Sequence, residues 1–271
     1  MERQPNQTKK THIMTDTIRQ SDLRPGDVLL YHGSGLLSRL IRLFDGTNYS
    51  HAGIWTGKRV VEALGNGVNG RMLHVSVKGA QYVHVFRYRD KAGKELGAAL
   101  SPDPVTGQAD QFVQNGNRYG YEQLLLLALL ASTRRLTSPV PFLGRILRNF
   151  LDSAADVLAR LGALGKEPLI CSELVYRCYE QAGADYKVLI RGADMAAGMA
   201  MATMDAPPKA DADDGGYLES ALVFLEKYQA LKPAPPADPA LGGAVMAVSN
   251  FVTPGDLSKS PNLRLLGRLA G

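Results

Sequence analysis

Both cysteines of the 271-residue chain fall in one stretch, EPLICSELVYRCYEQAG (167–183), with Cys171 and Cys178 seven positions apart. Packing, a disulfide, a metal site and a nucleophile are the chemistries open to such a pair. The stretch reads as a helix: Pro168 precedes its start, Ser172 and Glu173 occupy its first turn, and Gly183 is a natural stop. On one helix a seven-residue spacing is a rise of about 10.5 Å, too far for a disulfide between the two. No recognised ligand spacing links them to the histidines, so a zinc site has no support. The helix also separates the two thiols. Cys171 stands at or next to the first residue, where unpaired N–H groups and a partial positive charge favour a thiolate. Cys178, flanked by Arg177 and Tyr179 two turns on, has no such setting and reads as a small core residue. Because cysteine is most often simply buried, this fragment alone leaves Cys171 between packing and chemistry.

A nucleophilic thiol needs a base, and the chain offers His12, His32, His51, His74 and His84. Spacing singles out His51. SHAGIWTGKRVVEA (50–63) reads as two strands joined at Gly57-Lys58, with Thr56 facing Arg59, Trp55 facing Val60 and Gly53 facing Glu62. Side-chain alternation then sets His51, Gly53 and Trp55 on one face with Val60, Glu62 and Leu64. Glu62 lies diagonal to His51, within reach of a long carboxylate, where it would orient the imidazole and stabilise its charged form. His74 and His84 alternate with valines and read as the polar faces of strands. His32 follows a strand and is at most a supporting partner.

The elements that must position these groups begin at Leu23, where LRPGDVLLYHG reads as a turn and a strand and SGLLSRLIRLFDG as a short amphipathic helix. SHAGIW, RVVEAL, HVSV and YVHVFRY then read as short strands of a small, largely antiparallel sheet. The Gly-rich GNGVNG (65–70) lacks the Lys-Ser/Thr of a phosphate loop and reads as a turn over the cleft. Residues 91–110 are ambiguous. Two helices are expected within 121–164, split by Ser138 to Pro141, and another near Tyr217 to Leu231. The fold class is α+β.

LRPGDVLLY, NYSHAGIW, VVEALGNGV, YGYEQL, ICSELVYRCYEQAG and VTPGDLSKSPNL, in that order, resemble the circularly permuted NlpC-type branch of the papain-like cysteine hydrolases. In that branch the histidine strand precedes the cysteine helix, as His51 precedes Cys171 here. The resemblance spans about 23–90, 117–183 and the TPGDL ending. It implies a permuted papain-like fold, with Cys171 as nucleophile, His51 as base and Glu62 as polar third member. The helical stretch at 121–164 and the Pro-rich region at 203–241 depart from the pattern.

Composition bounds the rest. With 45% hydrophobic residues the chain can bury a real core without staples. Residues 1–20 read as a disordered lead-in and 21–271 as a single domain, with a helical insertion at about 121–164 and Pro/Ala/Asp-rich loops at about 203–216 and 232–243. The polar N-terminus carries no signal-peptide pattern, and the longest apolar run, Leu124 to Ala131, is too short to span a membrane. A cytoplasmic location is therefore expected. The net charge of +5 comes without a basic, aromatic-interleaved block, which argues against nucleic acid.

The expected reaction is cleavage of an amide in a peptide or cell-wall-type substrate through a thioester on Cys171, with no metal or organic cofactor. Two alternatives stand beside it. The permuted branch also resembles the lecithin:retinol acyltransferases, and LLLLALLASTRRL with PFLGRILRNFL joins apolar faces to arginines that could meet an anionic membrane, so an acyl-lipid substrate is one. A non-catalytic binding module is the other, opposed by an intact His51, Glu62 and Cys171.

Overall fold

The computed structural model describes residues 16–65, 67–115, 122–133, 141–190, 217–232 and 252–270. It is an α+β architecture built on one mixed sheet of seven strands in the order β1-β7-β6-β2-β3-β4-β5. The strands are β1 (Thr17–Ile18), β2 (Val28–Gly33), β3 (His51–Trp55), β4 (Val60–Leu64), β5 (Gly67–Arg71), β6 (Ala80–Tyr88) and β7 (Leu263–Leu269). All neighbours pair antiparallel except β1 and β7, which run parallel through Thr17↔Arg268 and Ile18↔Leu269. The sheet is thus larger than the sequence suggests, because its far edge is built from opposite ends of the chain.

The turn and register expected between β3 and β4 are present: Trp55 pairs with Val60 and Ile54 with Val61, and Thr56 N donates to Arg59 O at 2.9 Å. Two local readings are corrected. Leu73–Ser76 is a short helix, not a strand, with Val75 and Ser76 N–H groups both bonded to Met72 O; His74 is exposed on it. Gly67–Arg71 is not a turn but edge strand β5, paired with β4 from Val60↔Arg71 to Leu64↔Gly67. Its glycines allow close approach, since a Cβ on Gly70 would lie 2.3 Å from Arg59 Cδ.

Around the sheet stand α1 (Leu36–Asp45), α2 (Leu73–Ser76), α3 (Asp103–Gln114), α4 (Glu122–Thr133), α5 (Pro141–Ala163), α6 (Cys171–Gln181), α7 (Tyr217–Ala230) and α8 (Pro254–Ser258). The helix α3 resolves part of the ambiguous 91–110 region. Alternation divides the strand side chains between two cores. Val28, Leu30, Ala52, Ile54, Val61 and Ala63 join the helices, while Leu29, Tyr31, Trp55, Val60, Val83 and Val85 pack on the other face.

The helix α4 is apolar all round and accordingly buried, with Leu125 to Leu130 at most 1% exposed. In α5, Leu147, Leu151, Ala154 and Leu158 are buried while Arg148 is half exposed and paired with Asp152. The described apolar faces of these two helices are core. Arg134 and Arg135 lie outside the described residues, as do the segments at 203–216 and 233–243. Of the stretch read as a lead-in, residues 16–20 are described and include strand β1 (Thr17–Ile18) and the first residue of the turn Gln20–Asp22; residues 1–15 lie outside the description.

The Pro-Gly-Asp turn before β2 is fixed by charge. Asp27 accepts from Arg24 N at 2.8 Å and from Arg87 Nε and Nη2 at 2.8 and 2.7 Å. This bidentate pair is buried and clamps the start of β2 to β6.

Candidate active site

The helix α6 starts where the sequence places it. Ile170 is extended at φ −94°, ψ 159°, and a bond from Leu174 N to Ile170 O opens the helix, so the N–H groups at its start have no helical acceptor. Cys171 is its first residue and fully buried. Neighbouring contacts fix this first turn. Ser172 Oγ donates to Val252 O at 2.7 Å. The buried Glu173 carboxylate meets Lys232 Nζ at 2.7 and 2.9 Å and Arg177 Nη2 at 2.7 Å. Lys232 also donates to Pro168 O at 2.5 Å, and Arg177 pairs with Glu167 at 2.5 Å. Two cations and two carboxylates balance one another, which a buried charge needs in order to persist.

The histidine comes from the sheet. Tyr31↔His51 register and strand alternation put His51 and Glu62 on the same face as Tyr31. His51 Nε2 lies 2.8 Å from Glu62 Oε2, with the two side chains only 9% and 1% exposed. The other carboxylate oxygen faces Arg71 Nη1 at 3.5 Å, and Arg71 Nη2 reaches Val75 O at 3.4 Å. The Tyr31 ring stands 5.1 Å from the imidazole, and its hydroxyl bonds Ser76 Oγ at 2.6 Å. Gly53 makes room for this arrangement: a Cβ there would come within 2.9 Å of Val60 Cγ1, 3.4 Å of the Tyr31 hydroxyl and 3.5 Å of Glu62 Cβ. The glycine admits packing partners, not solvent.

His51 is the first residue of β3, at the sheet end that the start of α6 reaches from the opposite face. Nε2 is held by Glu62, and Nδ1 is buried with no bond of good geometry in the structure. Burial is the largest influence on the imidazole and opposes its charge, but Cys171, by charge and hydrogen bonding, and then Glu62 outweigh it, holding His51 well above the ordinary value of 6.5. Cys178 is also buried and free. Desolvation, with a smaller contribution from Asp110, pushes its thiol far up, which makes it unreactive.

The structure therefore brings Cys171, His51 and Glu62 together. It places His74 on an exposed helical turn and His32 within β2, where it stacks on Tyr82 at 4.5 Å; neither joins the Cys171 group. His84 bonds Tyr49 on the other face of the sheet. His12 lies outside the described residues. Arg71 and Tyr31 were not legible as site residues. The one signal for Arg71 is its strand partner Val60 on the Glu62 face, and that needs β5 to be recognised as a strand. Among the described residues no group of three or more His, Cys, Asp or Glu side chains is placed to hold a metal ion, and no helix is long and apolar enough to cross a membrane.

No family model matches the chain. It is related to the probable lipoprotein peptidase YaeF of Escherichia coli K12, at 27% identity over 180 residues, or 66% of this chain and 63% of that protein; the match thus spans less than two thirds of the relative's length. Among solved structures it is similar to the metalloprotein yiiX of Escherichia coli O157:H7, at 16% identity and a TM-score of 0.44, covering 90% of this chain and 97% of that one.

Proposed function

We propose that the chain is a cysteine-dependent hydrolase of the permuted papain-like kind, cleaving an amide bond in a peptide or cell-wall-type substrate. The observation that carries this reading is the division of labour on one imidazole: Glu62 holds Nε2, and Nδ1 is left to Cys171 at a helix start. A relative named as a peptidase supports the reaction class.

His51 carries the thiol proton as an imidazolium beside the Cys171 thiolate. The thiolate attacks the substrate carbonyl, and the oxyanion is received by unpaired N–H groups at the start of α6, with Cys171 N–H the nearest candidate. Collapse breaks the C–N bond, and the imidazolium gives its proton to the leaving amine. Water then loses a proton to neutral His51 and attacks the thioester, which releases the acid and restores the thiolate–imidazolium pair. Glu62 keeps the ring oriented throughout, and Arg71 compensates the Glu62 charge while His51 is neutral. Because Cys171 has no exposed surface, substrate entry requires neighbouring residues to move.

The test is labelling with a thiol-directed acyl probe, followed by turnover on peptide, thioester and phospholipid panels with wild type, Cys171→Ala and His51→Ala. Peptide or amide turnover lost in both variants, in proteins that retain their fold, is expected. Turnover that survives in His51→Ala removes the dyad, and turnover confined to phospholipids moves the substrate to the lipid class.

A further inference from the structure

Outside the Cys171 site, four side chains form a continuous row across the sheet, and a fifth joins them from α1. His32 and Tyr82 are register partners on β2 and β6, and His84 and Arg268 are partners on β6 and β7. Because Tyr31 shares a face with His51, His32 and its row lie on the opposite face. The His32 ring stacks on Tyr82 at 4.5 Å and 24°, His84 lies 4.8 Å from the same ring, and the Arg268 guanidinium stands 5.3 Å from its centre. Arg42 reaches in from α1, donating to Gly33 O at 2.5 Å.

The charges in this row are unbalanced. Among the described residues no carboxylate pairs with Arg42 or Arg268, whose hydrogen bonds go to the backbone oxygens of Gly33 and Gln81. By contrast, the buried cations Arg87 and Lys232 are each matched by a buried carboxylate, Asp27 and Glu173. Among the described residues, the charged and titratable groups that act on His32, Tyr49, Tyr82 and His84 are one another, Arg42 and Arg268; Asp16, beside β1, meets the row through its main-chain carbonyl, which accepts from Arg268 N at 2.8 Å. Among the described residues each histidine commits only Nδ1, His32 to Asn48 O and His84 to the Tyr49 hydroxyl, both at 2.7 Å. The carbonyl fixes His32 Nδ1 as a donor, so its Nε2 is bare in the neutral ring and donates only once the ring is protonated.

We propose that this row is a binding site for a phosphate group, separate from the Cys171 site. Two guanidinium groups match a dianion in charge, and guanidinium, imidazolium and phenol together supply the several donors that a tetrahedral oxyanion accepts. Burial first, then the neighbouring arginines, hold both histidines below the ordinary value of 6.5. A bound phosphate reverses the sign of that field, so binding takes up protons onto His32 and His84 and tightens as pH falls. The site is independent of the proposed hydrolase activity.

The test uses the full chain with inorganic phosphate and glycerol phosphate as probes, against chloride at matched ionic strength. Imidazole resonances are followed from about pH 8 to about pH 5. Phosphate is expected to raise the titration midpoints of His32 and His84 and to leave the exposed His74 unmoved. Arg268→Gln, at an exposed position, should weaken binding by about tenfold or more, and adding Arg42→Gln should abolish the shifts. Should that double variant fail to fold, since Arg42 also holds Gly33 O, the Arg268→Gln/Tyr82→Phe pair replaces it. Midpoints that stay fixed at saturating probe, that move equally for His74, or that move undiminished in the folded variant would mean an adventitious ion only and would overturn the site. A response to glycerol phosphate assigns a soluble ester; co-sedimentation with phosphatidic acid vesicles, lost in Arg268→Gln and without that response, assigns a lipid headgroup.

Discussion

Glu62 Oε2 lies 2.8 Å from His51 Nε2, with both side chains almost wholly out of solvent. A charge-assisted bond in that setting does more than orient the ring. Together with Cys171 it moves the imidazole titration upward, outweighing the opposing effect of burial. Glu62→Gln keeps the shape and removes the charge, so the His51 midpoint should fall. The same linkage acts on stability. A folded value above the unfolded value near 6.5 means that the stabilisation is fully present below about pH 6.5 and is lost as pH rises through the folded value. The melting-temperature gap between wild type and Glu62→Gln should therefore be widest at low pH and narrow in alkaline buffer. An unchanged His51 midpoint by NMR would refute the charge role. Turnover should fall by about one to two orders of magnitude, short of the loss in Cys171→Ala.

Arg71 is the cation on the far side of that carboxylate, 3.5 Å from Glu62 Oε1 and partly open to solvent. Arg71→Met should reduce kcat by about tenfold with little effect on KM, and Arg71→Lys should recover part of it, because a point charge replaces the compensation without the second bond to Val75 O. Equal losses in Met and Lys variants would point to packing alone. Comparing the pH–rate profiles of the two variants separates the cases.

The two cysteines should differ in reactivity although both are buried. Iodoacetamide at about pH 6 should modify Cys171, beside a protonated histidine, and spare Cys178, whose thiol burial pushes far up. The rate for Cys171 also reports how often its cover opens, since it has no exposed surface. Peptide mapping reads the outcome, and preferential labelling of Cys178 would reverse the assignment.

The start of α6 and the His51–Glu62 diagonal were legible because each depends on local signals. Pro168 and Gly183 bracket the helix, and the tight Gly57-Lys58 turn fixes which residues of β3 and β4 share a face. Arg71, Tyr31 and Ser76 were not legible. Gly67 to Gly70 have the composition of a loop, yet become a strand because β4 offers a free edge and Arg59 occupies the space beside Gly70. His74 to Val77 alternate like a strand, but Ser76 ends in a helical turn whose hydroxyl meets Tyr31, 45 residues away. The parallel β1–β7 pair joins residues some 250 positions apart, Thr17 to Arg268, a distance at which no periodicity signals the partner.

Leu147 tests the nature of α5. It is 4% exposed, on the buried side with Leu151, Ala154 and Leu158, while its neighbour Arg148 faces out. Leu147→Glu places an unpaired carboxylate in that core and should cost more than about 4 kcal/mol, enough to unfold the chain or nearly so. Arg148→Ala removes an exposed i,i+4 pair with Asp152 and should change stability by less than about 1 kcal/mol. Urea unfolding of the two variants makes the comparison, and a tolerated Leu147→Glu would mean that this face is not core.

Gly53 joins packing to chemistry. A methyl group at this position has no free space, with Val60 Cγ1 at 2.9 Å, the Tyr31 hydroxyl at 3.4 Å and Glu62 Cβ at 3.5 Å. Of these neighbours Val60 is a stiff, branched side chain in a strand, so it cannot yield by changing rotamer without moving its own packing. Gly53→Ala should therefore destabilise the fold by about 1–3 kcal/mol, the usual cost of overpacking. The displaced side chains are those beside His51, because Tyr31 forms its aromatic wall and Glu62 its anchor. Turnover should consequently fall by more than the remaining folded fraction explains, with the His51 midpoint lowered as its distance to Glu62 grows. Combining Gly53→Ala with Val60→Ala removes the closest contact. Recovery of the midpoint in that pair would locate the defect in the Val60 contact, whereas a midpoint unchanged in Gly53→Ala itself would show that the glycine has no part in positioning the imidazole.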